Sequence, residues 1–150
     1  MSTIRASLNW LWKSCLVWVL EGHQLKIGPI DGLLFVTMTL TLRGKSRTID
    51  QLVLDTGASH SVISMDAVDD IGIYGEIDDE IVVMHGIGGV ERSIRKKIDS
   101  VEFGTFKVSE VNLDFANFDA HFGINGLLGA DLLTAGRFVI DLDAMELYQK

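Results

Sequence analysis

The residues best suited to chemistry are one carboxylate and the small residues that follow it. Asp55 stands at the end of the apolar stretch 52–54, which is typical of a buried strand. The turn behind it is made of Thr56, Gly57, Ala58 and Ser59. A strand holds the carboxylate rigidly, while small side chains leave the neighbouring backbone accessible. This stretch is therefore predicted to carry the chemistry of the chain, with Asp55 as its acid or base.

A second stretch of interest follows much later in the chain. Its residues are Leu127, Leu128 and Gly129. An Asp-Thr-Gly loop above an apolar-apolar-Gly element is the pattern of the aspartic proteases, and the chain resembles that family at both places. The resemblance implies that residues 127–129 lie beneath the loop that carries Asp55.

Glycines between these two stretches predict the tip of a long β-hairpin. Its strands are predicted over 80–85 and 90–101, and its tip consists of His85, Gly86, Ile87, Gly88 and Gly89. A phosphate loop does not fit, because no Lys-Ser or Lys-Thr pair follows and no helix begins there. The position of the hairpin resembles that of the flap in retroviral-type proteases. This resemblance implies a lid over bound peptide, which Ile87 is expected to touch.

Short segments of alternating or apolar residues predict strands through most of the remaining chain. Residues 33–42 interleave apolar side chains with threonines, which is the period of a half-buried strand. Further strands are predicted over 48–54, 61–64, 106–115, 126–128, 138–142 and 146–148.

Helices and turns are predicted from their end signals. One helix is expected over 65–71, with Ser64 as its N-cap and Gly72 at its end, and another over 130–136 with Asp131 in its first turn. Gly-Pro at 28–29 and Asp-Gly at 31–32 predict turns. The acidic residues at 78–80 are predicted to form a solvated loop.

Together these elements predict a mostly β fold. The resemblance specifies it as the closed retropepsin-like acid-protease β-barrel of the bacterial single-domain group, with a flap hairpin and one or two short helices. It covers about residues 25–150, and residues 1–24 form a separate apolar or amphipathic extension.

Within the extension, residues 8–20 predict a short amphipathic helix. The run is interrupted by Lys13 and Ser14 and is too short to span a bilayer. Three interpretations stay open: packing against the domain or its dimer partner, association with a membrane surface, or a misassigned start or processed leader.

Charge, cysteine and histidine content exclude several classes of partner. The 150 residues include 13 basic and 21 acidic side chains, a formal charge of −8. Nucleic acid is excluded because no basic stripe is present to neutralise phosphates. The single cysteine, Cys15, cannot form an internal disulfide, which favours a reducing, cytoplasmic location. The four histidines are too widely spaced to predict a zinc site, so neither a metal nor another cofactor is expected.

The chain contains one Asp-Thr-Gly loop, whereas catalysis in this family uses two carboxylates. The resemblance therefore implies a homodimer in which Asp55 of each protomer supplies half of the site. Two carboxylates about 3 Å apart share one proton, so that one activates water while the other protonates the peptide carbonyl. Thr56 is expected to hydrogen-bond across the interface, and Ser59 to bond the outer oxygen of Asp55.

The leading prediction is an aspartic endopeptidase that hydrolyses extended peptide or protein substrates. One alternative is a dimeric module that holds peptide on the same fold without cutting it, although such a module has no reason to keep two like charges in contact. The other is a peptidase tethered at a membrane surface through residues 8–20.

Overall fold

The computed structural model describes residues 24–150. Its strands are β1 (Gln24–Lys26), β2 (Gly28–Ile30), β3 (Leu33–Leu42), β4 (Lys45–Leu54), β5 (Val62–Ser64), β6 (Glu80–Gly86), β7 (Gly89–Phe103), β8 (Phe106–Ala116), β9 (Gly126–Leu128), β10 (Phe138–Asp141) and β11 (Glu146–Gln149). Helix α1 spans Ala130–Ala135, and 3₁₀ turns span Met65–Ala67, Asp69–Ile71 and Ala120–Phe122. The predicted helix over 8–20 lies outside the described residues.

The strands of the larger sheet close into a ring. Their order is β2-β3-β4-β9-β5-β8-β7-β6, and β7 also pairs with β3. The strands from β3 to β7 in this order are therefore joined in a closed circuit, with β2 and β6 attached to it. A smaller sheet has the order β1-β11-β10. The predicted mostly β fold is confirmed, and the predicted closed barrel takes the form of this ring of paired strands.

Alternation along β3 shows how the sequence builds the core. Val36, Met38 and Leu40 are almost inaccessible to solvent, while the threonines between them are half-buried. On the outer face, Thr39 Oγ1 lies 2.9 Å from Thr48 Oγ1 of β4, and such cross-strand pairs favour this register. Burying one aliphatic side chain contributes about 1.5–3 kcal/mol, so the two-residue period decides which face turns inward.

The predicted helix over 65–71 is wrong. The chain forms two 3₁₀ turns there, because Val68 between them has φ −134° and ψ 7°, outside the helical range. Val68 is completely buried, so the packing of its β-branched side chain overrides the local helical signal. Ser64 precedes the first turn but makes no side-chain capping hydrogen bond. Gly72 ends the segment with φ 82°, as predicted.

The turn predicted at Gly28-Pro29 is also wrong. These residues belong to β2, with Gly28 opposite Phe35 and Pro29 opposite Leu34. Because β2 lies at the edge of the sheet, the missing N–H of a proline breaks no ladder bond. The other predicted strands differ from the observed ones only at their ends; β4, for example, begins at Lys45 rather than residue 48.

The acidic loop before β6 is not simply solvated, as predicted, but is fastened to β7. Lys96 Nζ lies 2.7 Å from both Glu76 Oε2 and Asp79 Oδ1, and the Glu76 N–H donates to Asp79 Oδ2 at 2.6 Å. The side chains of Lys96 and Asp79 are only 12% and 10% exposed. These contacts hold the loop against β7, the second strand of the predicted hairpin.

The Asp79–Lys96 contact predicts a specific pH dependence. Burial raises the pKa of Asp79, but the hydrogen bonds from Lys96 and Glu76 and the charge of Lys96 outweigh it and hold that pKa below 3.8. The carboxylate therefore stabilises the fold fully above about pH 4 and progressively less as pH falls through the lowered folded-state pKa. We expect Asp79→Asn to reduce the free energy of unfolding at pH 7, as measured by denaturant titration, and to approach wild type in strong acid.

The neighbouring Asp78 provides the control for this measurement. Its side chain is exposed, so Asp78→Asn should change stability little at either pH. A stability loss in Asp79→Asn that is the same at pH 7 and in strong acid would contradict the assigned ion pair.

Candidate active site

Asp55 follows β4 at the point where this strand runs beside β9. The two strands are parallel, with Leu54 opposite Leu128, and the Asp55 N–H donates to the Leu128 carbonyl at 3.0 Å. The ladder thus extends one residue past β4 and fixes the backbone of the acid. Asp55 itself is half-buried, while Thr56 and Gly57 are exposed.

The turn after Asp55 orients its carboxylate. The Gly57 N–H donates to Asp55 Oδ1 at 2.9 Å, and the Ala58 N–H donates to the Asp55 carbonyl at 3.3 Å. A Cβ on Gly57 would lie only 3.2 Å from Oδ1, so glycine permits this close approach. One carboxylate oxygen is therefore held by the backbone, while Oδ2 receives no hydrogen bond from any described residue.

The predicted hydrogen bond from Ser59 to Asp55 is not formed. Ser59 Oγ lies 3.2 Å from His60 Nδ1 instead. The short turn lets the backbone N–H two residues after Asp55 reach its carboxylate, and the donor is therefore Gly57.

The stretch predicted to lie beneath the loop does contact it. The Ala130 N–H donates to the Ala58 carbonyl at 2.8 Å. A Cβ on Gly129 would approach the carbonyl carbon and oxygen of His60 at 2.7 Å and the oxygen of Ala58 at 2.9 Å. These are backbone atoms that cannot rotate away, so no side chain fits at position 129. The structure thus brings the two stretches singled out in the sequence into direct contact.

A serine and an aspartate that the sequence analysis did not assign to the site join these two stretches. The Asp131 carboxylate accepts hydrogen bonds from the Ser61 N–H at 2.9 Å and the Ser61 hydroxyl at 2.7 Å. Ser61 Oγ in turn accepts from the Gly129 N–H at 2.9 Å. Ser61 is 1% exposed, so these groups satisfy one another in the interior. We call this arrangement the Ser61–Asp131 brace.

Removing the serine hydroxyl should weaken the fold measurably. We expect Ser61→Ala to lower the free energy of unfolding by about 1–3 kcal/mol, because it leaves the buried Gly129 N–H without an acceptor. Denaturant titration measures the change. Ser59→Ala is the matched control, since its hydroxyl lies exposed nearby in the same segment and should alter stability by less than about 0.5 kcal/mol. Equal effects of the two substitutions would contradict a structural role for the brace.

The strand register places Asp55 on the sheet face opposite the core. Residues paired across strands share a face, and one such row runs from β4 to β7 through Val53, Leu127, Val62, Asp114 and Arg95. Val53 and Val62 are buried but do not belong to the hydrophobic core cluster, which includes their neighbours Leu52 and Ile63. Asp55 follows Val53 by two residues, so it projects from the same face, called the site face below.

An ion pair occupies the middle of the site face. Arg95 Nε and Nη2 donate to the two oxygens of Asp114 at 2.7 and 3.0 Å, and the Asp114 side chain is only 2% exposed. These hydrogen bonds raise the pKa of Arg95 against the opposing effect of burial. The two charges therefore neutralise each other locally.

The predicted flap is a regular β-hairpin. β6 pairs with β7 from Glu80 opposite Arg95 to Gly86 opposite Gly89, which leaves Ile87 and Gly88 at the tip. Gly89 has φ 129°, a conformation that favours glycine. The Ile87 side chain is fully exposed, so the tip presents an apolar group to whatever approaches it.

Two grooves are found on the described part of the single chain, and both lie away from Asp55. One groove of about 570 Å³ lies beside the hairpin and another of about 370 Å³ lies near the acidic loop, and Asp55 lines neither. Within residues 24–150, no group of three or more His, Cys, Asp or Glu side chains is placed to hold a metal ion. The same part of the chain has no helix that is long and apolar enough to cross a membrane.

Residues 38–132 match the family model described as "Aspartyl protease", a segment that makes up more than half of the chain. The chain belongs to the aspartyl protease family. The matched segment of this family member includes the Asp55 turn, the hairpin and the Ser61–Asp131 brace. No curated protein is significantly similar to the chain in sequence.

The fold of this family member is similar to that of a solved retropepsin-like aspartic protease from Rickettsia conorii. The TM-score is 0.61, with 18% sequence identity over 84% of this chain and 90% of that one. Similarity at this level of identity concerns the fold. The predicted retropepsin-like fold is therefore confirmed.

Proposed function

We propose that the chain is an aspartic endopeptidase that acts as a homodimer. The observation that carries this proposal is the Asp55 carboxylate, which is half-buried on the site face and held at one oxygen by the Gly57 N–H. Thr56 and Gly57 beside it are exposed, as residues facing a second copy across a two-fold axis must be in one isolated chain. The second copy supplies the second Asp55.

The reaction follows from two carboxylates in contact. At a separation of about 3 Å they share one proton, since both cannot be ionised together. The ionised carboxylate takes a proton from water, whose oxygen attacks the peptide carbonyl carbon, while the other carboxyl gives its proton to the carbonyl oxygen. The resulting gem-diol returns one proton to the second carboxylate, the C–N bond breaks, and the departing amine takes the proton held by the first. The shared-proton state is thereby restored.

The β6–β7 hairpin acts in this proposal as a lid. An extended peptide lies between the site face and the hairpin and pairs its backbone with open strand edges. Closure of the hairpin excludes water, which strengthens the electrostatic interactions around the shared proton. Ile87, exposed at the tip, contacts the peptide on closure.

Two measurements on the purified chain test this function. Sedimentation analysis is expected to give twice the mass of one chain, and mass spectrometry of a diverse peptide mixture is expected to show cleavage at internal bonds. A dimer that binds extended peptides without cutting them would favour a non-catalytic peptide-binding module instead. A chain that cuts peptides as a strict monomer would contradict the two-chain site.

A further inference from the structure

The site face of the hairpin carries a stripe of polar side chains. Along β7, every second residue from position 91 to 95 is polar or charged, and these residues share the face of Arg95. The stripe consists of Glu91, Ser93 and Arg95, and their partners on β6 are Met84, Val82 and Glu80. A peptide held between the hairpin and the site face therefore passes beside the stripe, of which Glu91 is the exposed member.

Glu91 is the member of the stripe whose charge is not neutralised. Arg95 is engaged by both oxygens of Asp114 and lies 3.6 Å from a carboxylate oxygen of Glu80. Glu91 is exposed, and no basic group within residues 24–150 lies within 4.0 Å of its carboxylate. Arg92 follows in the chain but pairs with Val83 and projects from the opposite face of the hairpin. The stripe thus offers one free carboxylate to a ligand.

Ser93 adds an unused hydrogen-bonding group beside this carboxylate. Its side-chain oxygen is buried and has no hydrogen-bond partner among the described residues, and the residue is 3% exposed. A buried hydroxyl without a partner is unfavourable. It lies two positions from Glu91 on the same face, roughly 7 Å along the strand. Because this oxygen is shielded in the single chain, a ligand donor reaches it only when the side chains that cover it shift.

The space next to these two residues suits a long side chain with a charged end. Glu91 and Ser93 both line the groove of about 570 Å³ beside the hairpin. Other walls of this groove are apolar and include Ile81, Ile94 and Phe115. These residues pair across β6, β7 and β8 and, like Arg92, project from the face opposite to Glu91 and Ser93, so residues of both faces border the groove. The methylene stem of lysine or arginine packs on apolar surface while its head group reaches polar partners.

We propose that Glu91 makes the enzyme selective for a basic side chain at one position of the bound peptide, with Ser93 Oγ accepting a second hydrogen bond from it. This inference rests on the peptidase function proposed above. The formal charge of −8 attracts basic peptides in general. Glu91 adds to this attraction a preference for one position relative to the cleaved bond.

Peptides that differ only in arginine against citrulline test the inference. Citrulline keeps the length and most of the shape of arginine but carries no charge. Wild type is expected to cleave the arginine peptide with a kcat/KM about tenfold higher when the residue occupies one particular position. Glu91→Gln should reduce this ratio toward one. Glu110→Gln is the control, because it removes the same charge from an exposed residue paired with Lys97, and it should keep the wild-type ratio.

Each outcome separates the inference from the underlying function. If wild type and Glu91→Gln show the same ratio, or if Glu110→Gln lowers it as much, the inference fails while peptide cleavage stands. If wild type cuts no peptide at all, the proposed function fails and the inference with it. Ser93→Ala should raise KM several-fold for both peptides, since either head group donates to a hydroxyl, and an unchanged KM would contradict the role of Ser93.

Discussion

Replacement of Asp55 by asparagine is expected to lower kcat/KM for peptide cleavage by at least about a thousandfold. Asparagine has nearly the shape of aspartate but cannot take a proton from water or share one with a second carboxylate. Its side-chain oxygen still offers an acceptor to the Gly57 N–H, which holds the carboxylate in the wild type, so the turn and the dimer should persist. Peptide hydrolysis followed by mass spectrometry measures the loss, and sedimentation and circular dichroism check the assembly. Activity close to wild type would exclude the mechanism.

Mixtures of wild type and Asp55→Asn give a sharper version of the same test. If each site needs Asp55 from both chains, then after subunit exchange the activity follows the square of the wild-type fraction. If each chain acts alone, the activity falls in direct proportion to that fraction. The inactive variant should therefore inhibit wild type beyond simple dilution, and a linear dependence would contradict a shared site.

Replacement of Gly129 by alanine is expected to have the largest effect on stability, about 2–3 kcal/mol or more. The new Cβ would lie 2.7 Å from the carbonyl carbon and oxygen of His60 and 2.9 Å from the oxygen of Ala58. Since these are backbone atoms, the strain is relieved only by moving residues 58–60, the turn that follows Asp55. We therefore expect a lower midpoint in denaturant titration together with a loss of peptide cleavage.

Gly75 offers a matched control for this substitution. It lies in the exposed loop before β6, and a Cβ there meets no heavy atom within 4 Å. Gly75→Ala should leave cleavage unchanged and keep stability within about 1 kcal/mol of wild type, with any gain arising from a less flexible unfolded chain. If Gly129→Ala and Gly75→Ala had the same free energy of unfolding, residues 58–60 could move aside at little cost, and the tight packing around Gly129 would be contradicted.

Elements whose signals are local could be predicted from the sequence. The alternating pattern of β3 predicted both of its ends, at Leu33 and Leu42, as the structure has them. The short strand β9 was also predicted with its observed bounds, Gly126–Leu128. The hairpin and the Asp55 turn were predicted because glycines and small residues mark their tips. Each of these features depends on neighbours within a few positions of the chain, and a single sequence shows such neighbours directly.

Features that depend on distant residues were missed or wrongly predicted. The Ser61–Asp131 brace joins residues far apart in sequence. A serine and an aspartate are common surface residues, so the sequence alone does not indicate that these two form hydrogen bonds with each other. In the sequence Asp79 does not differ from its acidic neighbours, and only the fold brings Lys96 of β7 into contact with its carboxylate. Val68 was predicted within a helix because Ser64 and Gly72 signal helix ends on either side of it, but the complete burial of its side chain accompanies a break into two turns. In each case tertiary packing decided the outcome over local preference.

The distance between the two Asp55 carboxylates in a crystal structure of the assembled protein tests the central claim most directly. The account predicts a two-fold dimer in which these carboxylates face each other at about 3 Å, within hydrogen-bonding reach. A dimer whose Asp55 side chains lie too far apart to share a proton, each facing solvent, would contradict the proposed peptidase site.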